Sequence, residues 1–146
     1  MSKAFDSLHH ALMIKKLRVY GFSDMSLELM SSYFTERKNC VKINGVTSTW
    51  KEQLRGCPQG SPLGPLLWNI FQNDLPLNVR TSNLFMYADD HQVYQSGSNI
   101  TATISELTNE AENVSRWYRA NLLHANPKKY QVLAMTPRNV NKDAKD

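Results

Sequence analysis

The chain has 146 residues, which suffices for one domain with its own core and is too short for two. Its 17 Lys and Arg against 13 Asp and Glu give a net charge of +4 and a pI of about 9.1, a mild basic excess that permits a polyanionic partner without requiring one. Two cysteines without metal-ligand spacing predict neither a disulfide framework nor a zinc site.

Apolar residues at helical spacing predict two helices at the start of the chain. The first begins after Asp6 or Ser7, either of which would be its N-cap, and ends at Gly21. The second begins at Ser23 and ends near the charged segment 36–38. Two helices should therefore lie side by side before the first strands.

A hairpin and a loop come next. Alternating side chains on both sides of Asn44-Gly45 predict a hairpin over 40–49, because Asn-Gly favours the tight turn between antiparallel strands. The glycine- and proline-rich segment 54–67 then reads as a loop. It leads into an apolar helix that includes 66–71.

The second half of the chain begins with another predicted hairpin, over 84–95. A long helix follows, since apolar residues recur every three or four positions from Ile104 to Trp117. A last strand is predicted over 131–135.

Helices interspersed with hairpins predict an α+β domain, an antiparallel sheet with helices packed on one face. We expect residues 1–136 to form this domain and residues 137–146, which have little apolar content, to be disordered. No apolar run is long enough to span a bilayer and no targeting segment is apparent. We therefore expect an intracellular protein of the nucleus or cytoplasm that makes no membrane contact.

Two adjacent carboxylates interrupt the second hairpin. In NLFMYADDHQVYQ (83–95), Asp89 and Asp90 lie in the turn between strands 84–88 and 91–95, where their like charges repel. An acidic tip is common in turns and by itself needs no function. Large apolar residues, however, flank these acids on both sides, which places them near a sheet surface rather than on a solvated loop.

A divalent metal ion would compensate the repulsion between the two acids. Oxygen ligands suit Mg²⁺ or Mn²⁺, which bind through one or two carboxylates together with waters and substrate phosphates. The pair therefore predicts a nucleotide substrate. A two-metal phosphoryl-transfer site also needs a further carboxylate on a neighbouring strand.

Three motifs occur in order along the chain: SKAFD (2–6), GCPQGSPLGPLLWNIFQNDL (56–75) and YADD (87–90). In this order and spacing they resemble the palm of a reverse transcriptase of the non-LTR, LINE type, from Ser2 to about Thr136. The resemblance implies a fragment of an RNA-directed DNA polymerase. Such an enzyme uses Mg²⁺ or Mn²⁺ to transfer a nucleotide from a dNTP to the 3′ end of a DNA primer on an RNA template.

The resemblance also assigns roles to the two central motifs. It makes Asp89 the main metal ligand and Asp90 its partner, and it places Pro58, Gln59 and Gly60 in the nucleotide and template pocket. Gly60 would let the backbone approach a base or sugar closely, and the amide of Gln59 offers both a donor and an acceptor. Without the acids, the same loop would read as a connector before a helix.

Two further side chains have roles by resemblance. Phe5 corresponds to the aromatic residue that lies under the sugar and obstructs a 2′-hydroxyl, although a phenylalanine beside a helix start is also a common core residue. Lys129, in LLHANPKKYQVL (122–133), corresponds to the lysine that faces the triphosphate. It could neutralise or protonate the leaving pyrophosphate, whereas a lone Lys-Lys pair is otherwise a solvated surface feature.

The sequence departs from the family at its start. The family's first metal-binding aspartate stands two residues before the serine of SKAFD, and Met1 occupies the intervening position. Asp6 lies past that strand, where we expect it to cap a helix. From the resemblance we also do not expect residues 1–146 to include the family's fingers and thumb regions. We expect the fragment alone to be inactive, because loss of one metal carboxylate removes much of the transition-state stabilisation.

Two other functions stay open. The chain could be a non-catalytic nucleic-acid-binding or protein-binding remnant of a decayed mobile element, with weak and salt-dependent binding. It could also be another metal-dependent palm enzyme, such as a nucleotide cyclase, although the Pro-Gln-Gly segment counts against this.

Histidines and tryptophans offer weaker signals. His9 and His10 cannot easily share a metal ion, because helix neighbours point about 100° apart, and we expect them at the surface or an interface. Trp50, Trp68 and Trp117 lie in apolar patterns, which favours core packing over base stacking.

Overall fold

The computed structural model describes residues 4–135. Its helices are α1 (Ala4–Ser7), α2 (His10–Val19), α3 (Asp24–Phe34), α4 (Leu63–Gln72) and α5 (Ile100–Ala120). Its strands are β1 (Lys38–Asn39), β2 (Lys42–Ile43), β3 (Val46–Thr47), β4 (Lys51–Glu52), β5 (Asn83–Tyr87) and β6 (Asp90–Tyr94). Short 3-10 turns occupy Leu75–Asn78 and Pro127–Lys129. The tail predicted to be disordered, 137–146, lies outside the described residues.

The predicted helix start is confirmed for α3 and wrong for α2. The hydroxyl of Ser23 accepts the backbone N–H of Ser26, as an N-cap does. Asp6 and Ser7 instead lie inside the short helix α1. The cap of α2 is His9, which also pairs with Arg55 in an isolated β-bridge. That bridge holds the chain extended at His9, so α2 can begin only at the next residue.

The strands form three separate two-stranded antiparallel sheets. The pairs β1–β4 and β2–β3 belong to one ribbon, and β5–β6 form a hairpin later in the chain. The Asn44-Gly45 turn is confirmed, since both residues have the positive φ that this tight turn requires, 49° and 83°. The α+β class is also confirmed, although within residues 4–135 the strands do not join into a single sheet.

The strand predicted over 131–135 is wrong. The segment has no regular secondary structure, and Val132, Leu133 and Met135 are 77–85% exposed. An apolar run becomes a strand only when a core face covers its side chains and a neighbour satisfies its backbone. The exposure of these three side chains shows that no such face covers this segment.

Helices α2, α4 and α5 provide most of the core. The largest fully buried side chains are Leu8, Met13, Leu17, Trp68, Phe71 and Leu75. Burial of each contributes roughly 1.5–3 kcal/mol. Trp68 and Trp117 are buried as predicted, whereas Trp50 is 64% exposed and its predicted burial is wrong. It lies beside β4 in the ribbon, where side chains on both faces meet solvent.

None of the described helices is long and apolar enough to cross a lipid bilayer.

An ion pair between the buried Lys16 and the half-exposed Asp74 joins three parts of the core. The Nζ of Lys16 on α2 donates to the Asp74 carboxylate at 2.6 Å and to the Phe71 carbonyl oxygen at 2.7 Å. The indole N–H of Trp117 on α5 donates to the same carboxylate at 3.0 Å. Burial lowers the pKa of Lys16, and the contact with Asp74 opposes that shift. The network therefore ties α2 and α5 to the C-terminal end of α4.

The carboxylate of Glu110 on α5 holds the segment that leads into β5. Its Oε1 accepts hydrogen bonds from the N–H groups of Arg80 and Thr81, at 3.0 and 2.7 Å, and from the Thr81 hydroxyl at 2.8 Å. Asn113 donates to Oε2 at 3.1 Å. Burial raises the pKa of Glu110, but these hydrogen bonds outweigh it and lower the pKa to about 2. This ionised side chain therefore fixes where β5 begins.

We expect Glu110→Gln to lower the free energy of unfolding by about 2 kcal/mol at neutral pH, because a charged acceptor with several donors becomes a neutral amide. The pKa of the folded state lies below the ordinary value of 4.5, so this contribution is complete above that pH and is lost as the pH falls toward 2. Urea unfolding of both proteins, from neutral pH down to about pH 3, measures the difference between their free energies of unfolding. This difference should shrink with acidification, and a constant difference would contradict the role assigned to Glu110.

Candidate active site

The segment around α1 and the glycine- and proline-rich loop are joined by backbone hydrogen bonds. The N–H of Cys57 donates to the Phe5 carbonyl at 2.9 Å, and the N–H of Gly56 donates to the Leu8 carbonyl at 2.7 Å. The Nε2 of Gln59 donates to the Asp6 carboxylate at 3.0 Å. Two of the sequence motifs, distant along the chain, therefore lie directly against each other.

Gly56 makes this close approach possible. Its φ of 88° lies in the left-handed region that favours glycine, and a Cβ built there would lie 2.8 Å from the Cα of Asp6. Gly60 also has a positive φ, 82°, but a Cβ at Gly60 would meet nothing within 4 Å. The loop thus combines a tightly packed glycine with one whose backbone is open on the side where a side chain would stand.

Trp68 on α4 brings the third motif to the other two. Its ring lies 5.5 Å from the ring of Phe5, between centroids, and its indole N–H donates to the carbonyl oxygen of Ala88 at 2.8 Å. Ala88 precedes the two acids. The structure therefore places the acidic hairpin tip beside α1 and the helix that follows the loop, so the three sequence motifs converge around one buried indole.

The two acids occupy different positions in the hairpin. Tyr87 pairs with Asp90, so the connecting loop is Ala88-Asp89 and Asp90 is the first residue of β6. The prediction that both acids lie in the turn is wrong for Asp90, because the hairpin is shifted one residue toward the N-terminus: β5 ends at Tyr87 and β6 begins at Asp90, so the two-residue turn is 88–89. Asp89 is half-buried and Asp90 is exposed.

These carboxylates fit Mg²⁺ or Mn²⁺ as one or two protein ligands, with the remaining positions left to waters and substrate phosphates. In residues 4–135 no group of three or more His, Cys, Asp and Glu side chains could hold a metal ion. The donor set of the described residues thus suits one hydrated ion and falls short of a complete two-ion clamp.

A polar cavity of about 640 Å³ opens beside the Asp6–Gln59 contact. Its lining includes Arg37 and Arg55, together with Asn39, Gln53 and Pro58. The guanidinium of Arg37 lies 4.7 Å from the Tyr33 ring centroid, which holds it in place. Sequence reasoning missed both arginines, which stand at the two ends of the ribbon 38–52. Arg37 immediately precedes β1 and Arg55 follows β4 by three residues, and no local pattern in the sequence marks either as a site residue.

A histidine network, also missed from the sequence, lies under the hairpin. His91 contacts the hydroxyl of Tyr118 through Nδ1 at 2.6 Å and Oε1 of Gln72 through Nε2 at 2.9 Å. Burial lowers the pKa of His91 to about 4, so the imidazole is neutral at physiological pH. Burial also raises the pKa of Tyr118, and the charges of Tyr130 and Asp89 act in the same direction.

The remaining candidates are placed as follows. Lys129 is exposed on the 3-10 turn at Pro127–Lys129, next to Tyr130. His10 is not simply a surface residue, since its Nε2 lies 2.7 Å from the Gly56 carbonyl oxygen and its ring stacks on Phe34. It braces the same loop from α2.

Comparison with known proteins agrees with this geometry. Residues 1–141 match the family of reverse transcriptases (RNA-dependent DNA polymerases). The probable RNA-directed DNA polymerase from transposon BS of Drosophila melanogaster is 29% identical over 88% of this chain and 15% of that protein. The polymerase from the mobile element jockey of the same species is 30% identical over 80% of this chain and 13% of that protein. The Pol polyprotein of retrotransposable element R1 of Bradysia coprophila is 36% identical over 71% of this chain and 10% of that protein.

The chain therefore belongs to the reverse transcriptase family, and the predicted resemblance to the LINE-type enzymes is confirmed. It spans only 10–15% of the length of these three relatives. It is a reverse transcriptase fragment of a class whose members are RNA-directed DNA polymerases.

Gly56→Ala tests the contact between the first two motifs, with Gly60→Ala as a matched control. Both changes add a Cβ at a positive φ, which costs about 1 kcal/mol. At Gly56 the added carbon also meets the backbone of Asp6. We expect the urea midpoint to fall at least twice as far for Gly56→Ala as for Gly60→Ala. Equal losses would show that the two segments are not in contact.

Proposed function

We propose that this chain is the palm region of a LINE-type reverse transcriptase and carries part of the site for adding a nucleotide to a primer 3′ end. The observation that supports this most is the linkage of the three motifs: Trp68 packs on Phe5 and donates to Ala88, next to the acid pair, while the loop is hydrogen-bonded to the Phe5 segment. An acidic hairpin tip remote from the loop would not serve this chemistry.

In this proposal Asp89 and Asp90 hold the divalent cation, with Asp89 as the main ligand. Bound Mg²⁺ or Mn²⁺ would supply the positive charge that compensates both carboxylates and the substrate phosphates. Asp89 is half-buried at the tip, which limits the freedom of its carboxylate, and Asp90 begins a paired strand. The backbone thus presents both acids at the same end of the hairpin.

Pro58, Gln59 and Gly60 form the proposed wall for the nucleotide and template. The hydrogen bond from Gln59 to Asp6 fixes the orientation of its amide, and the open backbone at Gly60 leaves room for a base or sugar. Phe5, half-buried against Trp68, would obstruct a 2′-hydroxyl. Lys129 is proposed to neutralise or protonate the leaving pyrophosphate.

The cavity lined by Arg37 and Arg55 supports a polyanionic partner. Guanidinium groups bind phosphate oxygens with paired, directed hydrogen bonds, and no described carboxylate pairs with either arginine in an ion pair within 4.0 Å. We infer that the partners are an RNA template, a DNA primer and a dNTP. The same surface also favours the second candidate, a non-catalytic nucleic-acid-binding fragment.

We propose that the polypeptide of residues 1–146, taken alone, does not extend a primer. A two-metal site needs a further carboxylate on a neighbouring strand, and no third metal-binding side chain joins Asp89 and Asp90 in the part of the chain that the structure describes. Additional protein, in the same chain or from a partner, would have to supply it.

Primer extension with purified 1–146, an RNA template, a DNA primer, dNTPs and Mg²⁺ or Mn²⁺ tests this directly. We expect no extension above the level of Asp89→Asn, the matched variant that removes one charge at constant size. Extension by the wild-type chain that disappears in Asp89→Asn would overturn the inactivity and establish the site at the same time.

Binding to an RNA–DNA hybrid tests the polyanion surface separately. We expect affinity that falls steeply with salt, and we expect Arg37→Gln and Arg55→Gln each to reduce the slope of log K against log salt by about 1, as loss of one phosphate contact does. Fluorescence anisotropy measures both quantities, with Arg119→Gln on the exposed end of α5 as the control. If no binding is seen even at low salt, this cavity neither holds the template and primer of a polymerase nor serves a non-catalytic nucleic-acid-binding fragment.

A further inference from the structure

Helix α4 presents two hydrogen-bonding side chains, Trp68 and Gln72, to the acidic hairpin, one helical turn apart. Trp68 and Gln72 are both buried, at 0% and 4% exposure, and residues four apart lie on the same helix face. Trp68 contacts the hairpin at Ala88, and Gln72 contacts it at His91. The two contacts therefore stand on either side of Asp89 and Asp90.

The first contact supports a strained residue. Ala88 has a φ of 50°, which is uncommon for any residue with a side chain and costs about 1–2 kcal/mol. Such a conformation persists when the surroundings hold it in place. The hydrogen bond from the Trp68 indole to the Ala88 carbonyl, at 2.8 Å, holds the peptide that leads directly into Asp89.

The second contact has a defined direction. The Nε2 of Gln72 faces the side-chain oxygen of Asn69 at 3.4 Å, so its Oε1 faces His91 and accepts a hydrogen bond from the ring Nε2–H. The Nδ1 of the same ring is hydrogen-bonded to the hydroxyl of Tyr118 at 2.6 Å. His91 is thus linked to α4 and α5 at once, one residue after Asp90.

We propose that Trp68 and His91 are positioning residues that orient Asp89 and Asp90 for cation binding by attaching the hairpin to α4 at two points. The inference rests on the proposed function, since it concerns the same two acids. A hairpin attached at one point could rotate about that contact, whereas two contacts three residues apart on the hairpin, 88 and 91, fix the direction of the acids between them. Neither side chain needs to touch the substrate.

Trp68→Phe tests the first contact against Trp117→Phe. Both variants lose a buried indole N–H and the same atoms, but the Trp117 N–H donates to Asp74 instead of the hairpin. We expect Trp68→Phe to raise amide hydrogen exchange at the hairpin tip, 87–91, about fivefold, as loss of one hydrogen bond predicts. We expect the Mn²⁺ dissociation constant, measured by electron paramagnetic resonance of free Mn²⁺, to rise by a similar factor. Trp117→Phe should change neither quantity.

Gln72 provides the test of the second contact. Gln72→Met keeps the length of the side chain but removes the acceptor for His91, and we expect faster exchange at 87–91 together with weaker Mn²⁺ binding. Asn69→Ala removes the other partner of Gln72 but leaves the acceptor oxygen for His91, so it should stay within twofold of the wild type in both measurements. A purely structural role for Gln72 would not distinguish the two variants in this way.

The outcomes separate the two proposals. If Mn²⁺ binds the wild-type chain no better than Asp89→Asn, the proposed function fails, while hydrogen exchange still decides whether the hairpin is attached at two points. If both Trp variants loosen the tip equally, or neither does, the positioning role is overturned. If exchange changes as expected but Mn²⁺ affinity at Asp89 does not, the contacts are structural and the positioning role is likewise overturned.

Discussion

The hydrogen bond from the buried indole of Trp68 to Ala88 is the contact on which the position of the acidic hairpin depends. One face of the side chain belongs to the core, beside Phe71, and one edge reaches outward to the hairpin tip at Ala88. A tryptophan suits this position because it joins a large apolar surface to a single hydrogen-bond donor. The core of the domain and the location of the acids are therefore set by the same residue. Any change that displaces α4 should displace the acids too.

Two buried polar side chains, Lys16 and Glu110, bond to elements far from their own in sequence. Lys16 and Asp74 connect α2 to the end of α4, and Glu110 connects α5 to the start of the acidic hairpin. An apolar core alone tolerates sliding of one helix along another, whereas a buried hydrogen bond is lost when its partners move by an ångström or two. These hydrogen bonds therefore fix the position of the hairpin relative to the helices more tightly than hydrophobic packing alone would.

Local chemistry made much of the fold predictable. Asn44-Gly45 fixes a turn through its own backbone preference, Ser23 caps a helix with its own hydroxyl, and the long helix α5 carries a sustained apolar periodicity. The sequence also identified the acids and the loop that meet at the site. Each of these signals is contained in a short segment and needs no distant partner.

The errors have a common physical origin in contacts that no short segment contains. His9 became a cap because a bridge to Arg55 holds it extended. Residues 131–135 are an apolar run that lacks a face to cover it, and Trp50 lies on a ribbon without a core beneath it. The hydrogen bonds of Trp68 depend likewise on tertiary packing, and only the coordinates reveal them.

The central claim is that tertiary contacts gather the three motifs so that Asp89 can hold a cation beside the substrate loop. Anomalous diffraction from crystals of the chain soaked in Mn²⁺ tests this most directly. The account predicts an anomalous peak at roughly 2.0–2.2 Å from a carboxylate oxygen of Asp89, with the Trp68 indole still bonded to Ala88 in the same map. A peak at another location, or a hairpin tip separated from Trp68, would contradict it.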